Sequence, residues 1–187
     1  MICTAGCAGS ETTSQSLYAG AMSEHAILLF ALDVAADDAP REAQRVSDWL
    51  VARGWATPEM EPGPRAFAAG VVSDRQGGHI EVTPGMTVNT AGEATEEPLC
   101  PRCDAQVDVV RLTDDILGAN PYPVVECGSC GRAVAYADWV GTQYPIRSNL
   151  TIELESWFFP DQPAPQPMVA DITAEMGGRW RYMWSHW

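Results

Sequence analysis

Lysine is absent from the 187-residue chain: all 11 of its basic residues are arginine. Set against 25 acidic residues, they leave a formal net charge of −14. Phosphate backbones are neutralised by Lys and Arg, so this field disfavours nucleic acid as a general partner and leaves only a local arginine patch as a route to it. Histidine is scarce too. His25, His79 and His186 are the complete set, from which no Ser/His/Asp constellation can be argued, and His25 and His79 read as ordinary surface positions. No phosphate-cradling glycine loop is present; Gly77-Gly78 reads as a turn. No stretch approaches the roughly 20 apolar residues that a membrane span needs. Residues 1–22 also lack the charged start and apolar run of a signal peptide. The expectation is a cytoplasmic protein with no membrane association.

The composition otherwise suits a folded domain. Hydrophobic residues make up 46% of the chain, seven of them Trp, and the charged fraction is 19%, below the usual ~25%. The absence of Lys beside abundant Ala and Gly suggests GC-rich coding and a bacterial source.

Five segments are expected along the chain. Residues 1–22 form a leader of small polar residues with no packed element. Periodic sequence starts only after Met22, which makes that residue a candidate translation start. Cys3 and Cys7 lie in the leader without a partner knuckle and read as incidental. Residues 23–88 form an N-terminal α+β half. Ala26 to Leu32 is an apolar run suited to a buried strand. Asp37-Asp38-Ala39-Pro40 then starts a helix running to about Arg53, with Ala43, Val46 and Leu50 on one stripe and Gly54 as its stop. Ala66 to Val72 reads as a strand, turned at Gln76-Gly77-Gly78 into a hairpin partner, His79 to Val82. Residues 89–98, with Glu93, Glu96 and Glu97, read as an acidic linker into a cysteine module at 99–137.

Residues 138–187 form a C-terminal α+β half. Leu150, Ile152 and Leu154 alternate with Thr151, Glu153 and Glu155 in the period of a half-buried strand. A Pro-rich connection leads to a helix carrying Met168, Ile172 and Met176, stopped at Gly177-Gly178. The tail then reads as a last strand with Trp180, Tyr182 and Trp184 on one face, either packed in the core or presented to a partner. Residues 27–55 and 150–180 share the same outline of strand, Asp/Pro loop, helix and Gly-containing stop. The predicted fold class is therefore α+β: a split strand-helix-strand sandwich with a four-cysteine module inserted between its halves.

The module carries the chain's strongest chemical signal. Cys100-Pro101-Arg102-Cys103 is separated by 23 residues from Cys127-Gly128-Ser129-Cys130-Gly131. A two-residue spacer lets each segment fold back so that two sulfurs reach one ion, and tetrahedral zinc takes four such donors. Gly128 and Gly131 are expected to relieve crowding at the second turn, and Pro101 to fix the first. Val124-Val125-Glu126 and Ala133 to Tyr136 read as the strands that enter and leave the second knuckle.

These paired CPxC and CxxCG knuckles resemble the zinc-ribbon family over about residues 98–137. The resemblance implies that Cys100, Cys103, Cys127 and Cys130 are all ligands of one structural Zn²⁺. The 23-residue gap is slightly longer than the common 15–20. A rubredoxin-like iron site would use similar knuckles, and two disulfides would need an oxidising compartment. Four cysteines fill a tetrahedron, so no position is left for catalytic water. Asp114-Asp115 reads as an exposed loop or helix start, and the Asn149-Leu150-Thr151 glycosylation pattern carries no weight in the cytoplasm.

The leading functional expectation is a non-enzymatic module that binds protein partners. A nucleic-acid-associated factor is the second, requiring Arg102, Arg111 and Arg132 to gather around the knuckles. An enzyme is the third, with a site between the α+β body and the module that holds His79 and nearby acids.

Overall fold

The computed structural model describes residues 25–72, 78–89, 96–106, 123–141, 144–155 and 165–186. The leader with Cys3 and Cys7, the turn at 76–77, Glu93, Arg111 and Asp114-Asp115 lie outside the described residues. The elements are β1 (His25–Ala31), α1 (Ala39–Ala52), α2 (Pro64–Ala68), β2 (His79–Asn89), β3 (Val124–Glu126), β4 (Ala133–Ala135), β5 (Ile146–Glu155), α3 (Gln166–Met176) and β6 (Trp180–His186). A 3₁₀ turn at Tyr136–Asp138 follows β4.

Four strands form one sheet in the order β2-β5-β1-β6, and every neighbouring pair is antiparallel. β1-α1-β2 is thus a strand-helix-strand unit split by β5, and β5-α3-β6 is a second one split by β1. This interlocked arrangement is the ferredoxin-like connectivity. The chain is α+β, and the cysteine module is inserted between the two units.

β1 explains the layering. Its sequence is apolar at almost every position, which suits a strand covered on both faces. Ile27, Leu29 and Ala31 pack with Val46 and Leu50 of α1, Ile172 of α3, and Leu150, Ile152 and Leu154 of β5. The alternate residues Ala26, Leu28, Phe30 and Leu32 pack on the other side with Cys100, Cys127, Tyr136, Trp139 and Tyr144. Helices therefore cover one face of the sheet and the cysteine module covers the other.

Local chemistry sets the element ends. Pro40 lies in the first turn of α1, where its missing N–H costs nothing. Asp38 caps the chain into that helix without a side-chain hydrogen bond and pairs with Arg41 at 2.8 Å instead. Past α1, Gly54 takes φ +72°, and the Trp55 and Ala56 N–H groups donate back to Leu50 O. Gly63 meets this turn so closely that a Cβ would lie 2.3 Å from Gly54 O.

The strand expected over Ala66 to Val72 is not one. Pro64 begins the short helix α2 after an extended Gly63, and Ala66 is its buried residue. A short apolar run has no period that separates strand from helix, and here proline at the first helical position decides. His79–Asn89 consequently has no hairpin partner there and pairs with β5 as an edge strand, bulged between Pro84 and Thr87. The tail forms β6 as expected. Trp180, Tyr182 and Trp184 pack part-buried against the helix-side core, and Met183 is buried on the module side. Asn149 is buried, and its Nδ2 donates to Val34 O at 2.9 Å.

Candidate metal centre

The two knuckles have the same backbone. In the first, the Asp104 N–H donates to Cys100 O (2.9 Å) and the Cys100 N–H to Ala105 O (2.9 Å). In the second, the Gly131 N–H donates to Cys127 O (2.8 Å) and the Cys127 N–H to Arg132 O (2.9 Å). Each turn closes with a left-handed residue just after its second cysteine: Asp104 at φ +57° and Gly131 at φ +64°. Gly and Asp are among the residues that tolerate this region, so Gly131 serves the turn through its backbone conformation. The expected relief of crowding is found at neither glycine, since a Cβ at Gly128 or at Gly131 would meet nothing within 4 Å. Asp104, which was not singled out from sequence, does for the first knuckle what Gly131 does for the second.

These matched turns bring the four cysteine sulfurs within 4.8 Å of one another. Cys103 Sγ lies 3.7 Å from Cys127 Sγ, and Cys100 Sγ lies 3.9 Å from Cys130 Sγ. A tetrahedron with arms of about 2.3 Å, the zinc–sulfur distance, has edges of about 3.8 Å. The donor set therefore fits one tetrahedral, thiolate-loving metal ion, and all four cysteines are free rather than disulfide-bonded. The arrangement is consistent with a zinc ribbon.

The site is asymmetric. Cys100 and Cys127 are buried against the sheet, whereas Cys103 and Cys130 face outward. The N–H groups of Cys130 and Ser129 point at the Cys127 sulfur and lower its pKa to about 7. At Cys103 the Ala105 N–H also favours the thiolate, but desolvation and the three neighbouring thiols outweigh it and push the pKa up to about 12. Four thiols cannot all ionise beside one another without a cation. A divalent metal removes that conflict by taking the place of their protons.

The module is fastened to the sheet by residues that sequence reasoning passed over. Leu99 and Val140 exchange two backbone hydrogen bonds (2.8 and 2.9 Å) and close its base. Tyr136, Trp139 and Tyr144 are buried beneath it. The rings of Tyr136 and Tyr144 meet edge-on at 5.2 Å. The Tyr144 hydroxyl donates to Trp139 O at 3.0 Å, while Arg181 of β6 hydrogen-bonds that hydroxyl and lies 5.6 Å from the ring centre. Burial pushes the Tyr144 phenol up to about 12 and raises that of Tyr136 as well. An available signal was the cluster of aromatics directly after the second knuckle.

The other candidates separate. Arg102 and Arg132 are exposed, one on each knuckle, with acidic Asp104 and Glu126 close to them in sequence; Arg111 lies outside the described residues. His79 is exposed on the edge strand β2, opposite Glu155 in register. A cavity does lie between the body and the module, but His79 is not among its lining residues. His25 and His186 sit opposite each other in the β1–β6 ladder. No helix among the described residues is long and apolar enough to cross a membrane. No family model, curated protein or solved structure matches the chain.

Proposed function

We propose that this protein is a zinc-stabilised, non-enzymatic interaction module, in which one Zn²⁺ held by Cys100, Cys103, Cys127 and Cys130 fixes the cysteine module onto the sheet and protein partners bind the composite surface. The observation that carries this reading is the near-tetrahedral approach of four sulfurs, two of them rooted in the core. Four thiolates fill the coordination sphere of zinc, and catalytic zinc sites keep one position open. The metal's contribution is then to folding, where structural zinc supplies roughly 10–16 kcal/mol of apparent binding energy in small modules. A net charge of −14 favours solubility and basic or neutral protein partners over nucleic acid.

Cobalt substitution tests the closed site. Co²⁺ in an all-thiolate tetrahedron has an intense visible spectrum, and that spectrum is expected to stay unchanged when azide or cyanide is added. A spectrum that shifts with either anion means an open position and returns the enzyme reading. The partner claim is tested by affinity capture with and without prior chelation. Specific proteins retained only by the metal-loaded form support it, and nucleic acid retained at physiological salt contradicts it.

A further inference from the structure

At one end of the sheet, a cavity of about 140 Å³ opens between the residues just after β1, the base of the cysteine module, the start of β5 and the residue before β6. A single water needs only about 10–15 Å³ of such space, so a small organic molecule fits. Leu32, Pro123, Ile146 and Tyr136 give it apolar walls, while two arginines, Arg147 and Arg179, line it beside one carboxylate, Asp33. Arg147 is only 6% exposed and reaches Met86 Sδ. Arg179 is half exposed, pairs with Asp138, and lies 4.0 Å from Asp33. A second cavity, of about 150 Å³ on the helix side, is also lined by Asp33 and Arg179, so this pair stands between two hollows.

We propose that the cavity beside Arg147 and Arg179 binds a small carboxylate with a short, branched apolar body. A guanidinium presents a planar fork that matches a carboxylate bidentately. The apolar walls take the hydrocarbon part, in the usual division of labour of small-molecule sites. The ion pairs of Arg179 are solvent-exposed and weakly held, so that side chain can exchange Asp33 for a ligand carboxylate. A multiply charged inorganic anion fits less well, because it would meet Asp33 and Asp138 with no apolar part to bury. This inference does not depend on which metal the cysteines hold.

The test titrates the full-length, metal-loaded protein with 3-methylbutanoate by calorimetry and by protein-observed NMR, at fixed ionic strength. Controls are the same-shaped 3-methylbutanamide and inorganic phosphate. One saturable site is expected, with the amide about tenfold weaker or worse because it lacks the charge-assisted pairing. Arg147→Met and Arg179→Gln should each weaken it several-fold, and Asp33→Asn should tighten it by removing the competing carboxylate. If Arg147→Met fails to fold, the exposed Arg179 and Asp33 variants decide. Equal binding of acid and amide, preference for phosphate, no binding at all, or unchanged affinity in both the Arg179→Gln and Asp33→Asn variants would each overturn the proposal.

Discussion

The two faces of β1 are covered by unlike materials. On one side, Ile27 and Leu29 meet helices whose apolar residues recur at helical spacing, and the resulting core is mostly aliphatic, with Trp49 and Trp55 buried in it. On the other side, Leu28 and Phe30 meet a module whose described strands are three residues each, and that module brings Tyr136, Trp139 and two cysteines into the core. Periodic helices can cover a sheet by hydrophobic burial alone. A segment with so little regular structure among its described residues gains from cross-linking, and four sulfurs gathered around one point can supply it. On the reading proposed above, the same strand is stabilised by packing alone on one side and by packing together with coordination on the other.

The largest expected effect comes from removing the metal. Chelation should strip protection from β3, β4 and the Leu28–Phe30 side of β1 in hydrogen exchange, and lower the melting temperature of the whole domain by more than about 10 °C. Cys127→Ser should reproduce this, since it removes a ligand and a buried core group together. Adjacent residues on β1 make the next contrast. Phe30→Ala and Leu29→Ala both delete fully buried side chains, at about 3–5 and 2–5 kcal/mol respectively. Only Phe30→Ala should speed metal transfer to a chromogenic chelator, because only Phe30 packs with the cysteines.

A smaller effect follows from Tyr144. Its folded-state pKa lies at about 12, above the ordinary 10. Its contribution is therefore complete below pH 10 and lost as pH rises from 10 to about 12, on the order of 2 kcal/mol. Alkaline titration followed by fluorescence should show the module side loosening in that window, and Tyr144→Phe should move the transition. The smallest contrast lies within one knuckle. Gly131→Ala should cost about 1 kcal/mol for its left-handed backbone, whereas Gly128→Ala should stay within about 0.5 kcal/mol.

What could be read in the chain follows the same division. The paired strand-helix-strand outline was legible because Ala43, Val46 and Leu50 and the alternation over Leu150–Leu154 carry strong periods. The knuckles were legible because CxxC spacing answers to metal geometry. Ala66–Val72 reads as a strand because a short apolar run fits either element, whereas Pro64 starts a short helix there. The layering was not legible at all. Nothing in the spacing of Cys100 and Cys127 says that they are buried against Leu28 and Phe30. The roles of Trp139, Tyr144 and Arg181 likewise arise from contacts between segments distant in sequence. Asp104 escaped notice because a left-handed residue there need not be glycine.

Metal content by mass spectrometry on untagged protein, with thiols counted before and after chelation, tests the central claim most directly. The account predicts about one zinc per chain, with Cys100, Cys103, Cys127 and Cys130 protected until the chelator is added. A folded protein with no bound metal and those four thiols freely reactive would contradict it.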